Sequence, residues 1–143
     1  MYYVTKRFQF DAAHRLRDYD GPCSRIHGHT YQVEVTFGGA ILNPLGMLID
    51  FGEVKKIVQP LIDRWDHRLI VHADDDLVAL DNPLFLESVT DMKEGNPTAE
   101  NMAREIFEEV DREFGTQRER KLRMRSVRVY ETPDCWAEYR GYE

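Results

Sequence analysis

His27 and His29 stand two residues apart with one glycine between them, and in an extended segment such residues project to the same side. Tyr31, Val33, Val35 and Phe37 continue that side, with Gln32, Glu34 and Thr36 opposite. A third imidazole, His14, shares strand parity with Phe8, Phe10 and Ala12. If the two strands pair, the three rings converge at one end of a sheet. Three neutral imidazoles beside an open position form the ligand set of a catalytic zinc, whereas structural sites are usually closed by four ligands. The competing reading is a set of hydrogen-bonded core histidines. Stacking three of them in a core leaves several polar nitrogens to satisfy, so the register favours metal.

Cys23 lies four residues before His27, in a loop (DYDGPCSR, Asp18 to Arg25) marked by Gly and Pro. A nearby divalent cation favours the thiolate. As a fourth ligand Cys23 would close the site and make it structural; off the metal it would be a base or nucleophile. Spacing alone leaves both open. Asp66 and His67 form a second pair, since a carboxylate beside an imidazole fixes its tautomer and raises its basicity. The same pair also reads as the solvated end of a helix. Glu131 shares parity with Val127 and Val129, which aims a carboxylate at an apolar face. A ligand carrying two adjacent N–H donors would satisfy it; otherwise it turns back to solvent at the strand end.

The elements that position these groups follow from periodicity. Alternation predicts a strand from Tyr2 to His14 and another from about His29 to Phe37. Asp50 and Glu53 make a capping pair for a helix whose apolar positions are Val54, Ile57, Val58, Leu61, Ile62 and Trp65, with Pro60 expected to bend it. His72 to Pro97 reads as an irregular excursion with at most a short helical turn. Its His72 beside Asp74, Asp75 and Asp76 is better explained as solvated loop than as a second metal site. A second helix begins near Asn96-Pro97-Thr98, carries the stripe Ala99, Met102, Ala103, Ile106, Phe107, Val110 and Phe114, and ends at Gly115. Strands from about Leu122 to Glu131 and Cys135 to Tyr142 close the chain. The order β-β-α-α-β-β predicts an α+β domain spanning 1–143, a four-stranded antiparallel sheet with two helices on one face.

Bulk properties narrow the partners. A chain of 143 residues with 42% hydrophobic and 31% charged residues can bury a real core. Its net charge of −7 argues against nucleic acid and anionic membrane as partners, though a local Arg/Lys cluster could still hold a small anion. No apolar run reaches the length of a signal peptide or a membrane span, so a cytoplasmic location is expected. Cys23 and Cys135 are accordingly read as free thiols.

Six stretches together closely resemble the 6-pyruvoyltetrahydropterin synthase superfamily: FDAAHRL (Phe10 to Leu16), CSRIHGHTY (Cys23 to Tyr31), GMLIDFGEVK (Gly46 to Lys55), Asp66-His67, NPTAEN (Asn96 to Asn101) and VYET (Val129 to Thr132). The three residues between Cys23 and His27 look like the 6-carboxytetrahydropterin synthase branch, which serves queuosine synthesis. The resemblance implies Zn2+ on His14, His27 and His29, with Cys23 as general base kept off the metal. It also implies Asp66 and His67 as a proton relay, Glu131 as the pterin anchor and Thr98 lining the pterin pocket. The implied fold is the T-fold, whose subunits form trimeric barrels that pair into homohexamers with active sites at subunit interfaces. The implied reaction converts 7,8-dihydroneopterin triphosphate to 6-carboxy-5,6,7,8-tetrahydropterin, releasing acetaldehyde and triphosphate. Two other outcomes compete: triphosphate elimination alone, giving 6-pyruvoyltetrahydropterin, and a non-catalytic module stapled by a closed Cys23/His14/His27/His29 site. Lys6, Arg15 and Arg25 are triphosphate candidates by proximity alone.

Overall fold

A computed structural model of the protein describes residues 1–115 and 122–141. Two long strands, β1 (Tyr2–His14) and β2 (His27–Gly39), pair antiparallel from Tyr2↔Gly39 to His14↔His27. One face of this ladder carries Phe8, Phe10, Ala12, Tyr31, Val33, Val35 and Phe37, all buried. Helices α1 (Phe51–Asp63) and α3 (Ala99–Gly115) cover that face through Val54, Val58, Ile62, Met102, Ile106 and Val110. The opposite face carries Thr5, Arg7, Gln9, Glu34 and Thr36. The alternation in the sequence is thus a true two-sided pattern.

The helix starts follow their local chemistry. The Asp50 carboxylate accepts from the Gly52 N–H (2.6 Å) at the head of α1. Pro60 lies inside α1, which continues to Asp63. Thr98 caps α3: its hydroxyl accepts from the Asn101 N–H at 3.2 Å, and its carbonyl accepts from the Met102 N–H at 2.9 Å.

The sheet departs from the four-stranded antiparallel expectation. With β3 (Leu69–Val71), β4 (Val89–Asp91), β5 (Arg123–Thr132) and β6 (Cys135–Arg140) it is six-stranded and mixed, ordered β4-β3-β1-β2-β5-β6, β3 lying parallel to β1 and β4 parallel to β3. Strands β3 and β4 are each three residues long, too short for alternation to declare itself. The excursion between His72 and Pro97 is correspondingly more regular than expected. It holds a 3-10 turn (Asp76–Ala79), the short helix α2 (Pro83–Ser88) capped by Asn82, and β4. Arg15 fastens it to the end of β1 through a two-point ion pair with the buried carboxylate of Asp75 (2.8 and 2.6 Å). The loop before β2 likewise contains a 3-10 turn, Pro22–Ser24.

Strand β5 (Arg123–Thr132) pairs antiparallel with β2 and with β6 (Cys135–Arg140). The expected end of the last strand at Tyr142 lies outside the described residues. The register of β5 slips twice. Against β2 the partners run Thr36↔Ser126 then Phe37↔Met124, which leaves Arg125 as the extra residue. Against β6 they run Tyr130↔Trp136 then Thr132↔Cys135, which leaves Glu131 as the extra residue. Bulges of this kind re-aim the side chain they insert.

Candidate metal centre and active site

Pairing His14 with His27 across β1 and β2 brings three imidazoles together, because His29 is two residues along β2 on the same face. The ring centroids are 4.5 Å (His14–His27), 5.0 Å (His14–His29) and 5.1 Å (His27–His29) apart. One nitrogen from each ring lies within 4.8 Å of the other two. Gly28 permits the approach: a Cβ there would sit 3.3 Å from the Ala12 carbonyl oxygen.

Hydrogen bonding fixes the tautomers. His14 Nδ1 lies 2.7 Å from the Pro97 carbonyl oxygen, and His27 Nδ1 lies 2.7 Å from that of Arg25. A carbonyl only accepts, so each Nδ1 carries the ring proton and each neutral ring presents a bare Nε2. Those two Nε2 atoms face each other at 3.0 Å. His29 Nε2 is buried and has no hydrogen-bond partner among the described residues. Burial draws the His14 pKa down from 6.5 to about 4, offset in part by the Pro97 carbonyl and reinforced by the two neighbouring rings. His29 is also lowered, by burial first, with Glu131 opposing. Three clustered ring nitrogens, those of His14 and His27 being bare Nε2 atoms, match the donor set of a borderline-soft divalent cation such as zinc, with carbonyls orienting the His14 and His27 rings from behind.

The surrounding side chains are placed unequally. Glu131, at the second bulge, has Oε2 4.0 Å from His29 Nε2 and stands half-buried at the edge of the cluster. Cys23 is a free, half-buried thiol outside the three-nitrogen group. Thr98 follows Pro97, and its hydroxyl is engaged in capping α3. Asp66 and His67 are joined at 2.9 Å and anchored to β1, where Asp66 accepts from the Asp11 N–H and the His67 N–H donates to the Asp11 carbonyl. His67 adopts φ 58° and its side chain is 78% exposed. It borders an open hollow lined also by Asp11, Gly28, His29 and Thr30. The pair thus shares a hollow with His29 while lying outside the three-nitrogen group.

Several contributors escaped sequence reasoning. The Pro97 carbonyl is held by Asn96, which exchanges bonds with the Arg17 backbone (2.7 and 3.0 Å), and by Asn101, which donates to the Asn96 carbonyl at 2.9 Å. Tyr31 lies fully buried beneath the site, edge-on to His14 and His29, and its hydroxyl has no partner among the described residues. Burial raises its pKa far above the ordinary value. Among the phosphate candidates, Arg15 is committed to Asp75, and Lys6 lies over the rings of Phe8 and Phe51.

A mixed sheet backed by helices, with three histidines at one end of its two longest strands, defines a T-fold protein with a metal-ready site. The fold is shared with a Wolinella succinogenes protein of uncharacterized function (TM-score 0.83, 22% identity, covering 99% of this chain and 98% of that one). It is shared also with 6-pyruvoyl tetrahydropterin synthase of Plasmodium falciparum (TM-score 0.75, 20% identity, 99% and 98%). The model of the family described as 6-pyruvoyl tetrahydropterin synthase matches residues 3–142, and the chain belongs to that family of enzymes. Within it, the chain is 36% identical to 6-carboxy-5,6,7,8-tetrahydropterin synthase of Rickettsia conorii, over 94% of this chain and 96% of the relative. It is 34% identical to the protein of the same name from Haemophilus influenzae, over 97% and 99%. These relatives lie on the branch that the spacing before His27 resembles, and they make the chain a lyase similar to the 6-carboxytetrahydropterin synthases.

Proposed function

We propose that the protein is a cytoplasmic zinc-dependent lyase of queuosine synthesis, converting 7,8-dihydroneopterin triphosphate and water to 6-carboxy-5,6,7,8-tetrahydropterin, acetaldehyde and triphosphate. The observation that carries this reading is the convergence of ring nitrogens from His14, His27 and His29, with Nε2 left bare on His14 and His27. Those three residues would hold the zinc, which when bound supplies Lewis-acid stabilisation of charge developing on side-chain oxygens.

The remaining roles fall to the chain's own groups. The Glu131 carboxylate accepts from the ring amino group and N3–H of the pterin, and so fixes the side chain near the histidines. Cys23, off the metal, takes a proton from the substrate side chain as thiolate. His67, with its tautomer set by Asp66, moves a second proton. Because His67 is largely exposed and lies outside the three-nitrogen group, the relay is read as serving the site of a neighbouring subunit. A homohexamer built as a dimer of trimers provides such a neighbour. Thr98 lines the pterin pocket through the backbone that its cap fixes.

The alternative product is 6-pyruvoyltetrahydropterin, the branch named by the family description. Incubation with dihydroneopterin triphosphate, with and without chelator, separates the readings. Acetaldehyde and the 6-carboxy product, both lost on chelation, support the proposal. Triphosphate release without acetaldehyde assigns the pyruvoyl reaction, and no turnover of a zinc-loaded protein refutes both.

A further inference from the structure

Strand β5 carries two bulges, and each inserts a charged residue. Glu131 stands beside the histidine site, whereas Arg125 lies toward the other end of the strand and borders a different cavity. That hollow, of about 560 Å³, is lined by the outer side chains of the sheet, among them Thr5, Thr36, Arg123, Arg125, Arg128 and Arg140. Its strand residues Thr5, Glu34 and Thr36 belong to the parity facing away from α1 and α3.

Three features mark Arg125 as placed rather than incidental. The bulge removes it from the β2 register. Gly38 provides the notch in which it lies, since a Cβ at that position would come within 2.9 Å of both Cγ and Nε of Arg125. Its Nε is buried and lacks a hydrogen-bond partner among the described residues. A buried donor without an acceptor is costly, and a bound acceptor removes the cost.

Charge in the hollow points to the acceptor. Glu34 and Glu138 are the carboxylates lining it, and they are already engaged: Glu34 by Arg7, Arg128 and the Tyr130 hydroxyl, Glu138 by Arg128 and Arg140. Arg123 and Arg125 have no ion-pair partner among the described residues, so the hollow carries an excess of positive charge on a chain of net −7. Guanidinium groups of fixed geometry favour oxyanions that accept in a bidentate manner.

We propose that this hollow, on the face of the sheet opposite the three histidines, is a second site that binds a multiply charged oxyanion of the phosphate class, with Arg125 as its principal donor. The site is independent of the reaction assigned above. A free inorganic polyphosphate and the phosphate chain of a nucleotide share this chemistry.

The test is calorimetric titration of the zinc-loaded protein with inorganic pyrophosphate at about 0.15 M salt, where long-range attraction is largely screened. Arg125→Gln should weaken one binding event at least tenfold while leaving zinc content and pterin turnover unchanged. Glu138→Gln, which removes a competing carboxylate and releases Arg128 and Arg140, should tighten it several-fold. Should Arg125→Gln lower the melting temperature too far to titrate, the exposed Arg123→Gln is read in its place, with a smaller loss expected. ATP competing for the same event identifies a nucleotide phosphate chain as the source, and its failure leaves the free polyphosphate. Pyrophosphate binding that is unchanged in these variants, or absent from the wild type, overturns the proposal.

Discussion

Replacing Arg15 with Met removes the partner of a buried charge. The Asp75 side chain is fully buried and accepts two bonds from the Arg15 guanidinium; the Leu77 N–H is its other donor at 2.9 Å. With Arg15 gone, the carboxylate keeps one backbone hydrogen bond and only the charge of Arg17, with no ion pair. Breaking a buried pair from one side typically costs about 3–5 kcal/mol, because the remaining charge is left without compensation. At roughly 2–4 °C per kcal/mol for a domain near this size, the melting temperature should fall by about 10 °C at pH 7. The deficit should depend on pH with a definite sign. In the wild type the Asp75 pKa is depressed by the Arg15 bonds against the effect of burial, so its stabilisation is present above the ordinary carboxylate pKa and lost as pH falls through the folded value. In Arg15→Met, burial prevails and the folded pKa rises, so protonation relieves the strain and the gap to wild type narrows between pH 7 and pH 4. Replacing both residues, Arg15→Met with Asp75→Leu, should restore most of the loss, since an apolar pair leaves nothing unsatisfied. Thermal melts of the wild type, the single variant and the double variant at two pH values decide the matter. A single variant within about 1 kcal/mol of wild type, or a double variant no better than the single, refutes the argument.

The metal-free protein should be acid-sensitive through His14. With a folded pKa of about 4 against an ordinary 6.5, His14 stabilises fully above pH 6.5 and loses that contribution as pH falls towards 4, at most about 3 kcal/mol. Denaturant titrations of stripped wild type and His14→Gln at pH 7 and pH 4.5 should show a smaller pH dependence in the variant. Cys23→Ala should keep its zinc and lose turnover; metal analysis that finds the zinc gone would instead make Cys23 a ligand. Glu131→Gln should weaken binding of a pterin ligand by about 10-fold to 100-fold through loss of a charge-assisted pair, with zinc content unchanged. Equal affinity by fluorescence titration would remove Glu131 from the ring-binding role.

Long-range order was legible where a residue pattern repeats. The parity of Phe8, Phe10 and His14 against Tyr31, Val33 and Val35 announced both strands and their buried face, and it placed three imidazoles together. The α3 stripe from Ala99 to Phe114 was equally plain. Short elements were not: Leu69–Val71 and Val89–Asp91 pair by backbone hydrogen bonds over three residues, and no side-chain pattern marks so brief a parallel ladder. The bulges at Arg125 and Glu131 were hidden for a related reason. Parity counts residues along one strand, whereas a bulge is a property of two strands in register. Against β2 the register runs on without a slip from Val129↔Val33 to Tyr130↔Gln32, so Glu131 stands near His29 in the parity it shares with Val129, and its bulge is against β6 alone. The tautomer-setting carbonyls of Pro97 and Arg25 were invisible in principle, since every residue carries a carbonyl and only the fold chooses which one meets a ring.

X-ray absorption at the zinc edge of the purified protein tests the central claim most directly. The account predicts one zinc per chain with three imidazole nitrogens at about 2.0–2.1 Å, the remaining position filled by a light atom, and no sulfur in the coordination shell. A sulfur scatterer at about 2.3 Å would put Cys23 on the metal and close the site; absence of zinc from protein loaded with the metal would remove the centre altogether.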